Sequence, residues 1–348
     1  MANRWLSLQV ACVYIGTVVG AGFASGQEIY QFFVQFGPVA YLSIVLVTAL
    51  FAWLGYRLMA LGAMLKATSF RDLNAHLYTG ALRKIIDAIL LFMLFGVTVA
   101  MLAGTGALFK EQLHLSFSLG VLTAVVATFV TMLFGMNGLL KVNSVIVPTL
   151  ILFVFYTAFH TWWGAHTGTG HWPLPSPVHL GAQVWLSALL YGAMNIALSA
   201  GVLVPLGGQI GQLKVLKRGA IFGAIGLGAM LVAVSFALFC YLPDALAYAM
   251  PMAFIASHFA HWLSWLFIAV LFGEIYSTLI GNVYALAATA AISRRQMLIG
   301  SLVLLIIAGA LSHFGFKIIV AYAYTGFGWV SLFLILILVL HRTHLPRA

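Results

Sequence analysis

Ten mostly apolar stretches, each about long enough to cross the hydrocarbon of a bilayer as a helix, fill this chain near residues 5–36, 39–64, 85–109, 116–135, 143–163, 183–209, 217–241, 259–290, 297–312 and 318–340. Hydrophobic residues make up 64% of the 348 and charged residues 6%, too few polar groups to cover a surface in water. Lipid then restricts the backbone as well. An unpaired peptide group is costly in hydrocarbon, so each span must close its hydrogen bonds within itself as a helix. The expected fold is all-α and integral to the membrane, with ten transmembrane helices forming a single domain over 1–348.

The formal net charge of +10 raises nucleic acid as a partner, but the basic residues follow the spans instead. With the N-terminus in the cytoplasm, every Lys and Arg except Lys110 and Lys317 falls at the inner face. Such asymmetry sets orientation in a bilayer. Both termini are expected inside, with lipid as the surrounding partner and nucleic acid as none. Trp162, Trp163 and Trp172 gather at the outer end of span five, as interfacial aromatics do. The first 26 residues have the look of a signal peptide, yet the apolar run continues past them, so no cleavage is expected. Cys12 and Cys240 lie within spans and offer no disulfide framework.

Span one is interrupted by its own composition. Gly20-Ala-Gly-Phe-Ala-Ser-Gly-Gln-Glu28 puts three glycines, an amide and a carboxylate inside apolar sequence. A helix that loosens there must turn its freed N–H and C=O groups toward a bound ion or solute. The half ending near Val19 would present carbonyls to a cation. The half resuming near Phe23 would present N–H groups and the positive end of its dipole to a carboxylate. Beyond the break, Ser25, Glu28, Gln31 and Gln35 form a polar stripe expected to face a water-filled vestibule. Glu28, about 12 Å of helix past Gly20, is placed outward of the midplane, guiding a cation or an amino group inward or latching an outer gate with Gln27 and Gln31.

A shift of about 176 residues lays the first five spans onto the second five. Five is odd, so the second set enters the membrane from the opposite side, an inverted-topology repeat with halves near 1–165 and 180–348. The first span of each half is then expected to be discontinuous, the second break falling within Tyr191–Gly201, where Gly192, Asn195, Ser199 and Gly201 interrupt the run. Close helix packing is the plain alternative for Gly192 and Gly201. Between spans two and three, Ser69-x-x-Asp72 is a capping box opening a short helix on the cytoplasmic surface. The outer loop from Thr161 to Gln183 carries several His and Pro residues without metal-ligand spacing and reads as a surface loop.

Two carboxylates lie deep in the spans, Glu28 and Glu274, and intramembrane acids mark ion or proton pathways. Glu274 is followed at i+3 and i+4 by Ser277 and Thr278, placing three oxygens on one helical face. That cluster suits sodium or a proton, not a soft transition metal.

The string Gly16-Thr-Val-Val-Gly-Ala-Gly-Phe-Ala-Ser-Gly-Gln-Glu28 resembles the first-span signature of the YkvI-type bacterial membrane proteins, a group similar to the amino acid/polyamine/organocation transporters with their five-plus-five LeuT-like fold. The resemblance implies a sodium site formed by the main-chain carbonyls of Gly16 and Val19 with the hydroxyls of Ser277 and Thr278. Glu274 stands where those transporters offer a backbone carbonyl, so a proton replaces or accompanies the sodium. Phe23 stands where they carry an asparagine for a second sodium, so no second site is implied.

The expected function is a cation-coupled secondary transporter in a bacterial cytoplasmic membrane, carrying an amino acid or a similar small amine or zwitterion by alternating access. Gly20, Ala21, Gly22, Ala24 and Ser25 of span one and Tyr191, Asn195 and Ser199 of span six line the small-molecule substrate. Gly16, Val19, Glu274, Ser277 and Thr278 hold the coupling Na+ or H+, with no other cofactor. Two rivals remain: a divalent metal carrier, since Met194 adjoins Asn195 in the second break, and a membrane sensor that keeps a transporter fold and binds without moving its ligand. No motif for intramembrane catalysis is present. The sequence leaves the oligomeric state open.

Overall fold

The computed structural model describes residues 2–167, 181–247, 250–259, 261–290, 293–314, 324 and 326–336, all of them helical or in turns between helices. Much of the outer loop, including Trp172, and Lys317 lie outside the described residues. The first apolar run is not one helix. α1 (Ala2–Val18) is followed by α2 (Ala21–Ala24), α3 (Gln27–Phe32) and a 3-10 segment, Val34–Val39. The next three helices are α4 (Ala40–Leu65), α5 (Phe70–Leu77) and α6 (Gly80–Gln112), then come α7 (Phe117–Met132), α8 (Gly135–Thr167), α9 (Ala182–Ile210) and α10 (Leu213–Cys240). α11 (Pro251–Ser257), α12 (His261–Ala290) and α13 (Arg294–Leu311) precede a last described helix, α14 (Gly326–Leu336).

Seven of the described helices are long and apolar enough to cross a membrane. The shortfall from ten has local causes: the first run is broken, α7 has only 16 residues, and the tenth is described only in part. Large apolar side chains such as Leu42, Val45, Val145, Leu152 and Ile306 are exposed on the outer faces of their helices, where hydrocarbon chains would cover them.

Glycine sets how closely these helices approach, because lipid supplies no hydrophobic force between them and packing must do the work. Gly219, Gly223 and Gly226 put a smooth stripe on α10, against which Val10, Tyr14 and Ile15 of α1 lie; a Cβ at any of the three would fall within 2.8 Å of those side chains. Tyr14 then reaches α4, its hydroxyl donating to the Phe51 carbonyl at 2.8 Å. α4 and α9 touch backbone to backbone: a Cβ on Gly62 would stand 2.1 Å from the Val204 carbonyl oxygen and one on Gly207 2.0 Å from that of Met59.

The interruption expected in span six is not there. α9 runs continuously from Ala182 to Ile210, and its small residues serve contact: Gly192 receives Val47 and Gly201 receives Ala285. Asn195 and Ser199 bond carbonyls of the same helix, which leaves the helical ladder intact.

The expected capping box opens α5, with Asp72 accepting from the Ser69 N–H at 3.0 Å. Behind it Asp87 accepts from Asn74 at 2.6 Å and faces Arg71 and Arg83 at 3.8 and 3.9 Å. Arg71 also donates to the Thr289 carbonyl at 3.2 Å, tying α5 to the end of α12.

Replacing Gly62 or Gly207 by Leu forces α4 from α9 and is expected to destabilise the protein by about 1–3 kcal/mol or more. Gly300→Leu, at a position with nothing within 4 Å, should leave unfolding in detergent unchanged.

Candidate functional site

Glycine is among the weakest helix formers, costing about 1 kcal/mol relative to Ala, and Gly16, Gly20 and Gly22 fall within two turns of one another. α1 ends at Val18 and the helix resumes only at Ala21. Across this gap lies the middle of α12. The Ser277 hydroxyl donates to the Gly16 carbonyl at 3.1 Å, and the Thr278 hydroxyl is 3.2 Å from the same oxygen and in short contact with the Val19 carbonyl. The four residues implied for a sodium site therefore meet in one buried cluster.

A fifth oxygen joins them that the sequence did not single out. Asn143 of α8 presents Oδ1 at 2.5 Å from the Ser277 hydroxyl, while its amide donates to the Leu139 carbonyl at 3.0 Å. Asn143 sat at the expected edge of span five, where a polar residue reads as a terminus. α8 instead begins at Gly135, about two turns earlier, and carries Asn143 into the core. Two hydroxyl protons thus serve three carbonyl oxygens, an acceptor-rich arrangement.

Glu274 lies one turn before Ser277 and Thr278 on α12. It is fully buried, and neither carboxyl oxygen has a hydrogen-bond partner among the described residues. A buried carboxyl left without partners is costly and calls for an explanation.

The proposed substrate residues are gathered unevenly. Gly20 faces Met101 and the Thr278 methyl group, Ala21 opens α2, and Ala24 is half-buried. The Ser25 hydroxyl donates to the Gly22 carbonyl at 3.1 Å and accepts from the Gln27 N–H at 3.4 Å. The Ser25 carbonyl accepts from the Met252 N–H at 2.9 Å, bringing α11 against the break. From α9, Tyr191 is fully buried with its hydroxyl unpartnered. Asn195 and Ser199 direct their donors to the Tyr191 and Ile196 carbonyls.

The outer stripe differs most from expectation. Glu28 does not stand in a vestibule: it is buried and folds back over Gly22, where a Cβ would lie 2.0 Å from Oε1. Gln27 and Gln31 are half-buried and Gln35 is exposed. The cause is Gly26, whose φ of 82° swings α3 away from the axis of α2, a conformation glycine adopts without the Cβ penalty. The helix dipole expected beyond the break is lacking as well, since α2 has only four residues and cannot sum the peptide dipoles of a longer helix.

No family model matches the chain. Among solved structures, the fold matches that of a Na+-coupled sialic acid symporter at a TM-score of 0.65, with 13% identity, covering 94% of this chain and 79% of that one. A manganese transporter from Eremococcus coleocola matches at 0.64, with 14% identity over 95% and 78% of the two chains. Mhp1, a nucleobase-cation-symport-1 family transporter, matches at 0.52, with 13% identity over 88% and 73%. At these identities the likeness establishes the fold alone, an all-helical membrane protein similar to the LeuT-fold secondary transporters. The chain belongs to the family of YkvI, an uncharacterized membrane protein of Bacillus subtilis strain 168, with which it is 38% identical over 280 residues, 80% of this chain and 79% of that one. YyaD, an uncharacterized protein of the same organism, is 28% identical over an alignment of 353 residues covering 97% and 96%.

A Cβ on Gly16 would stand 1.8 Å from Asn143 Oδ1 and 2.6 Å from Ser277 Oγ. Gly16→Ala is therefore expected to part α1 from α12 and lower the unfolding temperature. Asn143→Ala removes only one acceptor from Ser277 and should cost about 1 kcal/mol. Thermal unfolding of both variants in the same detergent checks the order.

Proposed function

We propose that this protein is a cation-coupled secondary transporter working by alternating access, with sodium or a proton as coupling ion and an amino acid or similar small amine or zwitterion as substrate. The observation that carries the reading is the meeting of the Gly16 and Val19 carbonyls with Ser277, Thr278 and Asn143 at a break in the first span, one helical turn from the unpartnered Glu274. Five hard oxygens, two of them hydroxyls, suit a small cation. A hydroxyl can either donate to a carbonyl or turn its lone pair to an ion. The same oxygens therefore close on themselves without the ion and coordinate it when it binds. Either way α1 is joined to α12, and an ion that strengthens the joint shifts the balance between outward and inward states.

In this reading the chain forms ten spans in two inverted halves, with both termini cytoplasmic and the first span discontinuous. Val19, Phe23, Ser25, Glu28 and Tyr191 are each buried, which supports an occluded state in which the substrate faces neither side. α9 contributes Tyr191 and close packing without an interruption of its own. The fold also resembles that of a manganese transporter, which keeps a divalent metal cargo in view. Against it stand the donor types: among the described residues no three His, Cys, Asp or Glu side chains gather, and Met194 is packed in the core.

Sodium at a hundred times its Kd is expected to stabilise purified protein against heat by about 2.7 kcal/mol, an effect lost in the Ser277→Ala, Thr278→Ala double variant. Indifference of unfolding and ligand binding to both sodium and pH overturns the coupling. Uptake into proteoliposomes driven by a sodium or pH gradient separates a carrier from a sensor, since binding without flux favours the sensor. Glu274→Gln should abolish the pH dependence of uptake if that carboxyl carries the proton.

A further inference from the structure

The coupling site leaves one charged cluster of the molecule unused. Where α5 meets the first turns of α6, a cleft of about 490 Å³ opens beside Arg71, Arg83 and Lys84. Asp87 is the acid among its lining residues, and its Oδ2 lies 3.8 Å from Arg71 and 3.9 Å from Arg83, beyond hydrogen-bond length on both sides. The other carboxyl oxygen accepts from Asn74 at 2.6 Å. Lys84 is exposed and pairs with no described acid. Arg71 donates through one Nη to the Thr289 carbonyl, yet its Nε is a buried donor with no hydrogen-bond partner among the described residues.

Three cations against one carboxylate leave two positive charges unmatched in one cleft, an arrangement that repels itself until an anion enters. Guanidinium groups suit phosphate oxygens in particular, with several donors in one plane. The shape of the cleft says which phosphate. Its wall along α6 runs from Gly80 to Leu91, about 16 Å at helical rise, and changes character on the way. The charged residues end at Asp87, and Ala88 and Leu91 continue the wall. On the same helix Ile85 and Phe92 are exposed apolar side chains, as a helix facing hydrocarbon carries. A free phosphate would use only the charged end, whereas a phospholipid uses both. In the orientation expected from the basic residues, this end of α6 lies in the inner leaflet, whose anionic lipids attract Lys and Arg.

We infer that this cleft binds the head group of an anionic phospholipid, its phosphate held by Arg71, Arg83 and Lys84 and the start of its acyl chains laid along Ala88 and Leu91. The site does not depend on what the protein carries, since Thr289, where Arg71 reaches α12, stands about 16 Å along that helix from Thr278. A lipid held by Arg71 braces α5, α6 and the end of α12 together at the membrane surface. A lipid of no net charge fits less well, because its own ammonium would meet the same cations.

The test uses purified full-length protein in a nonionic detergent, read by thermal unfolding as lipid is titrated. Phosphatidylglycerol and phosphatidylcholine with the same acyl chains supply the anionic and the zwitterionic head, and glycerol phosphate supplies the phosphate without chains. Phosphatidylglycerol is expected to raise the unfolding temperature at concentrations where the other two do not. Arg83→Gln with Lys84→Gln should weaken its binding by about tenfold or more. Lys214→Gln with Lys217→Gln, which removes two exposed cations expected at the same membrane face, should leave it unchanged. Should the first pair not fold, Lys84→Gln alone removes an exposed cation and is expected to weaken binding in the same direction. No effect of phosphatidylglycerol, equal stabilisation by phosphatidylcholine, glycerol phosphate as effective as the lipid, an equal loss in the Lys214 and Lys217 pair, or unchanged affinity in the variants that carry Lys84→Gln overturns the site.

Discussion

The structure turns on one joint: two hydroxyls of α12 meeting two carbonyls of the first span where its helix has ended. In lipid a broken helix is an energetic problem, because its freed carbonyls have no water to turn to. Ser277 and Thr278 solve it from α12, donating to the freed carbonyls. Through Asn143 the joint reaches α8 as well, so three helices share one small set of oxygens. A change in what those oxygens hold would be felt by all three.

Around the joint the helices are kept close by the absence of side chains. The glycine stripe on α10 lets α1 lie against it with Tyr14 as a peg into α4. The backbone contacts of α4 with α9 make a second tight pair. The two expected breaks thus meet different fates. In the first span three glycines and Gly26 coincide with hydroxyls waiting across the gap, and the helix opens. In α9 Gly192 and Gly201 face Val47 and Ala285, which offer no partner for a freed peptide group, so the lowest-energy state there is the intact helix.

Much of the fold was legible. The bounds of α4, α6, α9, α10 and α12 follow the apolar runs within a few residues, since hydrocarbon thickness and backbone hydrogen bonding leave a long apolar stretch little choice. The coupling cluster was legible as spacing on α12 and, for Gly16 and Val19, only through resemblance. Asn143 was hidden because span ends are the least defined feature of an apolar run, and α8 starts about two turns earlier than hydropathy suggested. The direction of Glu28 was illegible for a different reason: one left-handed glycine between α2 and α3 redirects every residue after it.

By itself the sequence determined the solvent, the helical class and the place where a helix could least afford to continue, because each of these depends on local composition and length. Only the tertiary structure decided which glycines open a helix and which merely let two helices touch. It alone brought Asn143 to Ser277 and turned Glu28 inward over Gly22. Those outcomes depend on what stands across a gap from a freed peptide group or a buried acid, and residues far apart along the chain supply that partner.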